Sequence, residues 1–291
     1  MRQAAAPPGW LADRLHTAGL AARDAVWHPL AGGRTNKLWK FRNATQAFVC
    51  KLYVPDGDNP LFANDATAEA TVLSALSGSG LAPELIAADS TAQGRFLVYR
   101  HLDGTAGGGT LVDTARLLAR LHAHPPPNRL GTRPGGAQAI LQQSAQMLRA
   151  LPEAVRHRLD ALRPVMTCRL RARPRLLHGD PVPANIIATD AGLRLIDWQC
   201  PALGDPAEDL AIYLSPAMQS LYGGRPLSAG CERRFLDAYG HPARAARYLA
   251  LSPAFHWRMA VYCLWKAARG HCEYAKAAEL EMARLEQIQS R

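Results

Sequence analysis

The chain has 291 residues, 48% of them hydrophobic and 20% charged, with a formal net charge of +10. That composition is an ordinary globular protein's, the length suits about two domains, and no window approaches the roughly 20 apolar residues of a membrane span. A diffuse arginine surplus attracts anionic ligands such as nucleotides; its scatter argues against a nucleic-acid binder, which needs a clustered basic patch with stacking aromatics.

Residues 1–15 carry neither an apolar signal-peptide core nor an Arg/Ser-rich amphipathic leader, so the expected location is cytoplasmic. Cys50, Cys168, Cys200, Cys231, Cys263 and Cys272 form no C-x-x-C pair, which leaves no zinc knuckle or thioredoxin motif and reads as reduced thiols.

In chain order, residues 10–20 read as a short amphipathic helix with Trp10, Leu11 and Leu15 on one side. Gly32 and Gly33 then separate an apolar run from an alternating one, as strand, glycine turn, strand. Such a turn is often a plain hairpin, but bare backbone can also approach a phosphate closely. The next strand, AFVCKLYV, carries Lys51, which can simply face solvent. Residues 64–76 read as a helix capped by Asn64 or Asp65 with Val72, Leu73 and Leu76 packed. Glu69, eighteen residues after Lys51, can pair with it and hold the ammonium where nucleotide phosphates would meet it.

A strand over residues 95–100 runs into Gly104 to Thr110, the most linker-like composition in the chain, which places a boundary near residue 102. Thr110 and Asp113 resemble a capping box opening a helix that Pro125 ends. Helices are expected over residues 138–151 and 153–162, a basic edge strand around Arg169, Arg171, Arg173 and Arg175, and helix through most of residues 206–289. A strand-rich first third before a helical remainder indicates an α+β fold in two lobes, 1–102 and 103–291, and not a regular βαβ alternation.

The most informative stretch is Leu176 to Trp198, LLHGDPVPANIIATDAGLRLIDW. Ile186, Ile187, Leu193, Leu195 and Ile196 flank a turn at Asp190-Ala191-Gly192, so an antiparallel hairpin brings Asn185 and Asp197 together. Their hard oxygens suit Mg²⁺, which takes few protein carboxylates and fills its shell with water and phosphates. Asp180 is then near the metal, where a base for an incoming hydroxyl belongs. Separately, each group could merely serve its loop; jointly they make H-G-D-x-x-x-x-N followed by I-D-W.

This run resembles the catalytic loop and metal strand of the eukaryotic-like kinase superfamily. The glycine after His178, and Val182 where protein kinases carry lysine, separate it from protein kinases. With GDPAEDLA from Gly204 and GGRTN from Gly32 to Asn36, the chain is similar to the aminoglycoside phosphotransferase and choline kinase family, nearer the choline/ethanolamine kinase side. The resemblance covers about Leu30 to Leu214. It departs from the family pattern at Pro181, Ala184 and Arg100.

The resemblance implies a two-lobed protein-kinase-like fold, an ATP co-substrate and Mg²⁺. Asp180 would be the catalytic base and Asn185 and Asp197 the metal ligands. Gly32, Gly33, Arg34, Thr35 and Asn36 would cover the phosphates. Lys51, positioned by Glu69, would bind them, and Tyr99, Arg100, His101 and Leu102 would form the hinge beside the adenine. In the family, the acid matched by Asp209 supports the catalytic loop. The acceptor wall is expected in the C-terminal helices, where Trp257, Val261 and Trp265 share a face that serves either core or cation–π binding. Glu208, Asp209, Tyr213 and Glu273 are further candidates. The expected acceptor is a choline- or ethanolamine-like alcohol, then thiamine, then an aminoglycoside; a non-catalytic nucleotide-binding scaffold is the alternative.

Overall fold

The computed structural model describes residues 6–30, 35–55, 59–133, 135–166 and 172–290. Gly32, Gly33 and Arg34 of the expected phosphate loop, and Cys168, Arg169 and Arg171 of the basic run, lie outside the described residues.

Helix α1 (Gly9–Thr17) buries Leu11 and Leu15, one turn apart. It covers one face of a five-stranded antiparallel sheet built from β1 (His28–Pro29), β2 (Lys37–Asn43), β3 (Gln46–Leu52), β4 (Leu85–Thr91) and β5 (Gly94–Arg100), in the order β1-β2-β3-β5-β4. Alternation along these strands sends Trp39, Phe41, Phe48, Cys50, Phe96 and Val98 to α1. The opposite face carries Val49, Lys51, Leu97 and Tyr99, with Lys51 directly across from Leu97 and Val49 from Tyr99. That parity sets Lys51 on the cleft side, 1% exposed, where a half-buried strand alone would leave it in water. Each large apolar side chain removed from water contributes about 1.5–3 kcal/mol.

Helix α2 (Ala66–Ala75) follows β3. Its N-cap Asp65 accepts from Thr67 N and Ala68 N, and Val72 and Leu73 pack inward.

Five short strands follow the first sheet: β6 (Thr105–Ala106), β7 (Arg175–Leu177), β8 (Ile186–Thr189), β9 (Gly192–Leu195) and β10 (Ala202–Gly204). They form two small antiparallel sheets, β6-β8-β9 and β7-β10. The stretch that reads as a linker therefore packs on the β8-β9 hairpin. A side chain on Gly104 would strike the Ala188 carbonyl oxygen, and one on Gly109 would come within 2.6 Å of Leu193. Glycine here serves close approach, which composition cannot distinguish from flexibility.

The rest is helical: α3 (Leu111–Ala123), α4 (Ala137–Gln143), α5 (Ala145–Arg149), α6 (Glu153–Ala161), α7 (Ala207–Leu214), α8 (Pro216–Met218), α9 (Ala229–Tyr239), α10 (Pro242–Ala267) and α11 (Glu273–Gln289). The capping box at α3 forms, with Thr110 accepting from Asp113 N. The single helix expected over residues 138–151 is two, divided at Ser144, whose hydroxyl bonds back to Ile140 O at 3.5 Å. A second core joins these helices to α2 and the underside of the sheet. Among the described residues, no helix is long and apolar enough to cross a membrane.

Candidate active site

The loop after β7 is fixed by a buried carboxylate beneath it. Asp209, on the first turn of α7 and 0% exposed, accepts from His178 N at 2.8 Å, Gly179 N at 2.9 Å and His122 Nε2 at 3.1 Å. Burial alone would raise its pKa; the His122 contact and these backbone donors outweigh that and hold the carboxyl below the usual range. Gly179 adopts φ +84°, and a side chain there would collide with the Cys200 carbonyl oxygen. Only glycine fits between His178 and Asp180.

His178 spans the loop and the return strand. Its Nδ1 accepts from Asp180 N at 3.2 Å, so Nε2 carries the hydrogen donated to Ile196 O at 3.0 Å. Burial lowers its pKa, consistent with this neutral tautomer. Ile196 N in turn donates to Asn185 O at 2.9 Å, extending the β8-β9 register to Asn185 and Asp197 as the hairpin reading expects.

Among the described residues, Asp197 is one of two non-glycine residues with positive φ, at 62°, a conformation costing about 1–3 kcal/mol. Trp198, 0% exposed, anchors the next position through Nε1 to Leu195 O at 2.9 Å. The Asp197 carboxylate accepts from Lys51 Nζ at 2.5 Å, and Lys51 also donates to Glu69 at 2.6 Å. Glu69 takes a further hydrogen bond from Tyr53, two residues beyond Lys51 on the same side of the chain. Burial would lower the Lys51 pKa; Asp197 and Glu69 outweigh that and hold the ammonium charged above its usual value. The Asp180 carboxyl is pushed up to about 7, chiefly by burial and then by the Asp197 charge, with Arg133 opposing.

Thr35, Asn36, Lys51, Asp180, Asn185 and Asp197 line one cavity of about 430 Å³. Glu69 stands behind Lys51, outside the lining. A second wall includes Asn59 and Phe62, Met218 and Tyr222, and Tyr262, Lys266 and Tyr274. Tyr222 and Tyr274 hydroxyls lie 3.1 Å apart, Asn59 Nδ2 donates to Tyr262 OH at 3.2 Å, and the Phe62 and Tyr262 rings meet edge to face at 5.2 Å. None of these wall residues belongs to a short motif. A signal exists only for Tyr262, four residues before Lys266 on α10, and it is indistinguishable from core periodicity.

The expected acceptor residues Glu208, Asp209, Tyr213, Trp257, Trp265 and Glu273 lie outside this lining. Glu208, 1% exposed, pairs with Arg258 at 2.6 Å, and Asp209 holds the loop after β7. Tyr213 stacks on Phe235 at 4.8 Å, Trp257 donates to Leu159 O at 2.7 Å, and Trp265 stacks behind Tyr262 at 6.1 Å. Glu273 opens α11. Of the hinge residues, Tyr99 is buried at the end of β5, while Arg100, His101 and Leu102 border a separate depression with Glu84, Asp103 and Arg194.

The donor set fits a hard cation. Asn185 Nδ2 donates to Asp180 O at 2.9 Å, which leaves its carbonyl oxygen as the free end in the cavity that Asp197 also lines. No group of three or more His, Cys, Asp or Glu among the described residues could enclose a metal, so an ion here would draw its remaining ligands from water and phosphate, as Mg²⁺ does.

A small antiparallel lobe over a helical lobe, with a lysine–glutamate pair facing an H-G-D loop across a cleft, defines a kinase-like phosphotransferase fold. Residues 26–250 match the model of APH, the phosphotransferase enzyme family, and the chain belongs to that family. Among solved structures it is similar to a choline/ethanolamine kinase family protein from Mesorhizobium loti, at 17% identity and TM-score 0.65, covering 97% of this chain and 94% of that one. The choline kinase LicA from Streptococcus pneumoniae gives 17% identity and TM-score 0.64, over 94% and 98%. The spectinomycin phosphotransferase APH(9)-Ia, in complex with ADP and spectinomycin, gives 13% and 0.61, over 98% and 100%. No curated protein matches the chain.

Proposed function

We propose that the protein transfers the γ-phosphoryl group of ATP to a hydroxyl of a small acceptor. The observation that carries this reading is the convergence of Lys51, Asp180, Asn185 and Asp197 on one cavity that Phe62, Tyr222, Tyr262 and Tyr274 also line. Asn185 and Asp197 would hold Mg²⁺, which, when bound, neutralises charge on the phosphates. Lys51, fixed by Glu69 and Tyr53, presents its ammonium to the phosphate oxygens. Asp180 accepts the acceptor's hydroxyl proton and orients that oxygen towards phosphorus, so positioning and charge stabilisation carry most of the catalysis. ADP in the related spectinomycin phosphotransferase supports the nucleotide assignment.

Phe62, Tyr222, Tyr262 and Tyr274 support a choline- or ethanolamine-like acceptor, because aromatic faces attract an alkylammonium. Lys266, with Nζ 5.9 Å from the Tyr274 ring centre, favours a second class: a hydroxyl compound whose uncharged or acidic end faces that ammonium. Acceptor-dependent ADP release from Mg-ATP across choline, ethanolamine, thiamine, sugar-like, hydroxy-acid and aminoglycoside compounds separates these readings. Nucleotide binding without turnover on any acceptor would instead fit a scaffold.

A further inference from the structure

Three side-chain amides, from three separate segments, form one hydrogen-bonded cluster, of which Asn36 and Gln199 line the cavity. Asn36 begins the segment entering β2, Asn64 precedes the N-cap of α2, and Gln199 follows Asp197 by two residues. Asn36 and Asn64 bond reciprocally, Nδ2 to Oδ1, at 2.7 and 3.0 Å, and Asn36 Nδ2 also donates to Gln199 Oε1 at 2.9 Å. The main chain adds a tie from Asp65 N to Gln199 O at 2.9 Å.

The orientation of all three amides follows from one residue's backbone. Val54 N can only donate, and it donates to Asn36 Oδ1 at 3.2 Å; Val54 O can only accept, and it accepts from Asn64 Nδ2 at 3.2 Å. With Asn36 Nδ2 thereby pointing at Gln199, Gln199 must answer with its oxygen. Its Nε2 is the outward end.

Asn36 is saturated by this arrangement. A carboxamide offers two hydrogens and two lone pairs, and all four are used within the cluster. Gln199 is not: Nε2 donates to nothing among the described residues and is not among the buried, unpartnered atoms, while the residue, only 9% exposed, lines the cavity with Lys51 and Asp197.

We infer that Gln199 is a substrate-contacting residue whose Nε2 donates to the transferring phosphoryl group, and that Asn36 and Asn64 are positioning residues that aim it. The inference rests on the phosphotransfer reading above, and it removes the Asn36 side chain from the phosphate contacts that the family resemblance implies. A neutral donor suits the position, since Asp197 and Glu69 already hold the Lys51 ammonium between two carboxylates. A carboxylate at 199 would add a charge beside the phosphates.

Titration of Mg-AMP-PNP and of ADP against wild type, Gln199→Ala, Asn64→Ala and the double variant tests this. A hydrogen bond to a charged group is worth about tenfold or more in affinity. Gln199→Ala is therefore expected to weaken Mg-AMP-PNP about tenfold and ADP less than about twofold. Asn64→Ala is expected to share that nucleotide selectivity, and the double variant to be no weaker than Gln199→Ala, as a relay requires. Equal weakening of both nucleotides, unchanged Mg-AMP-PNP binding, or additive losses would overturn it. Should Gln199→Ala not fold, Gln199→Met keeps the side chain's length without the donor or a new charge, and must show the same selective loss. Failure of the wild type to bind Mg-AMP-PNP at all would overturn the phosphotransfer reading itself, whereas wild-type binding with unselective variants overturns only the role of Gln199.

Discussion

The two ends of the cavity are built differently. At the phosphate end, charged and polar groups are buried in mutual hydrogen bonds: Asp209 under His178 and Gly179, Lys51 between Glu69 and Asp197. At the proposed acceptor end, Phe62, Tyr222, Tyr262 and Tyr274 hold one another mainly through ring and hydroxyl contacts. A buried ionic network tolerates few substitutions, because one missing partner strands another charge. An aromatic wall can exchange one ring for another at modest cost, which leaves the chemistry fixed and the acceptor adjustable.

That contrast can be broken most sharply at Asp180. Asp180→Asn should lower kcat by about 10²–10⁴-fold, the range for a positioned acid or base, and leave the ADP dissociation constant within about threefold. Nearly equal activity would remove Asp180 from the chemistry. Asp209→Ala should cost about 3–5 kcal/mol of stability in denaturant titrations, since His178 N, Gly179 N and His122 lose their shared acceptor. A loss below about 1 kcal/mol would contradict the account of the loop. Tyr53→Phe removes one donor from Glu69 and should reduce kcat/KM for ATP by about tenfold. At the other end, Tyr274→Ala should raise the acceptor KM by about two- to thirtyfold with the ATP KM unchanged; a shift in the ATP KM instead would mean that the two ends are not separable.

A smaller effect is a matter of pH. Because folding raises the Asp180 pKa to about 7, the folded, metal-free chain binds that proton more tightly than the unfolded chain. The unfolded state binds fewer protons between the unfolded pKa and 7, so stability falls as pH rises through this window. Asp180→Asn removes the loss, and its thermal midpoint measured with chelator should exceed wild type by more at pH 8 than at pH 5. The reverse order would contradict the environment described for this carboxyl.

The phosphate end was the more legible in the sequence because its geometry is local. Five residues separate Asp180 from Asn185, a two-stranded hairpin returns to Asp197, and strand parity with a following helix joins Lys51 to Glu69. Gln199 and Asn64 were not legible, since a neutral amide announces no chemistry until its partners are known. The acceptor wall was not legible for another reason. Helix α10 is buried around much of its circumference, from Tyr248 through Trp265, so the Trp257–Trp265 stripe could not reveal which face meets the cavity. Tyr222 comes from the wide helical turn Gln219–Gly223, which has no periodic signature. The glycines after residue 103 have a linker's composition, and their close contacts with β8 and β9 emerge only in three dimensions.

Phosphorus NMR of Mg-ATP incubated with the protein and an acceptor that stimulates ADP release tests the central claim most directly. The expected result is a phosphomonoester signal growing in step with ADP in the wild type and absent with Asp180→Asn. Release of inorganic phosphate alone, or the same ester formed at the same rate by Asp180→Asn, would contradict transfer to a hydroxyl at this cavity.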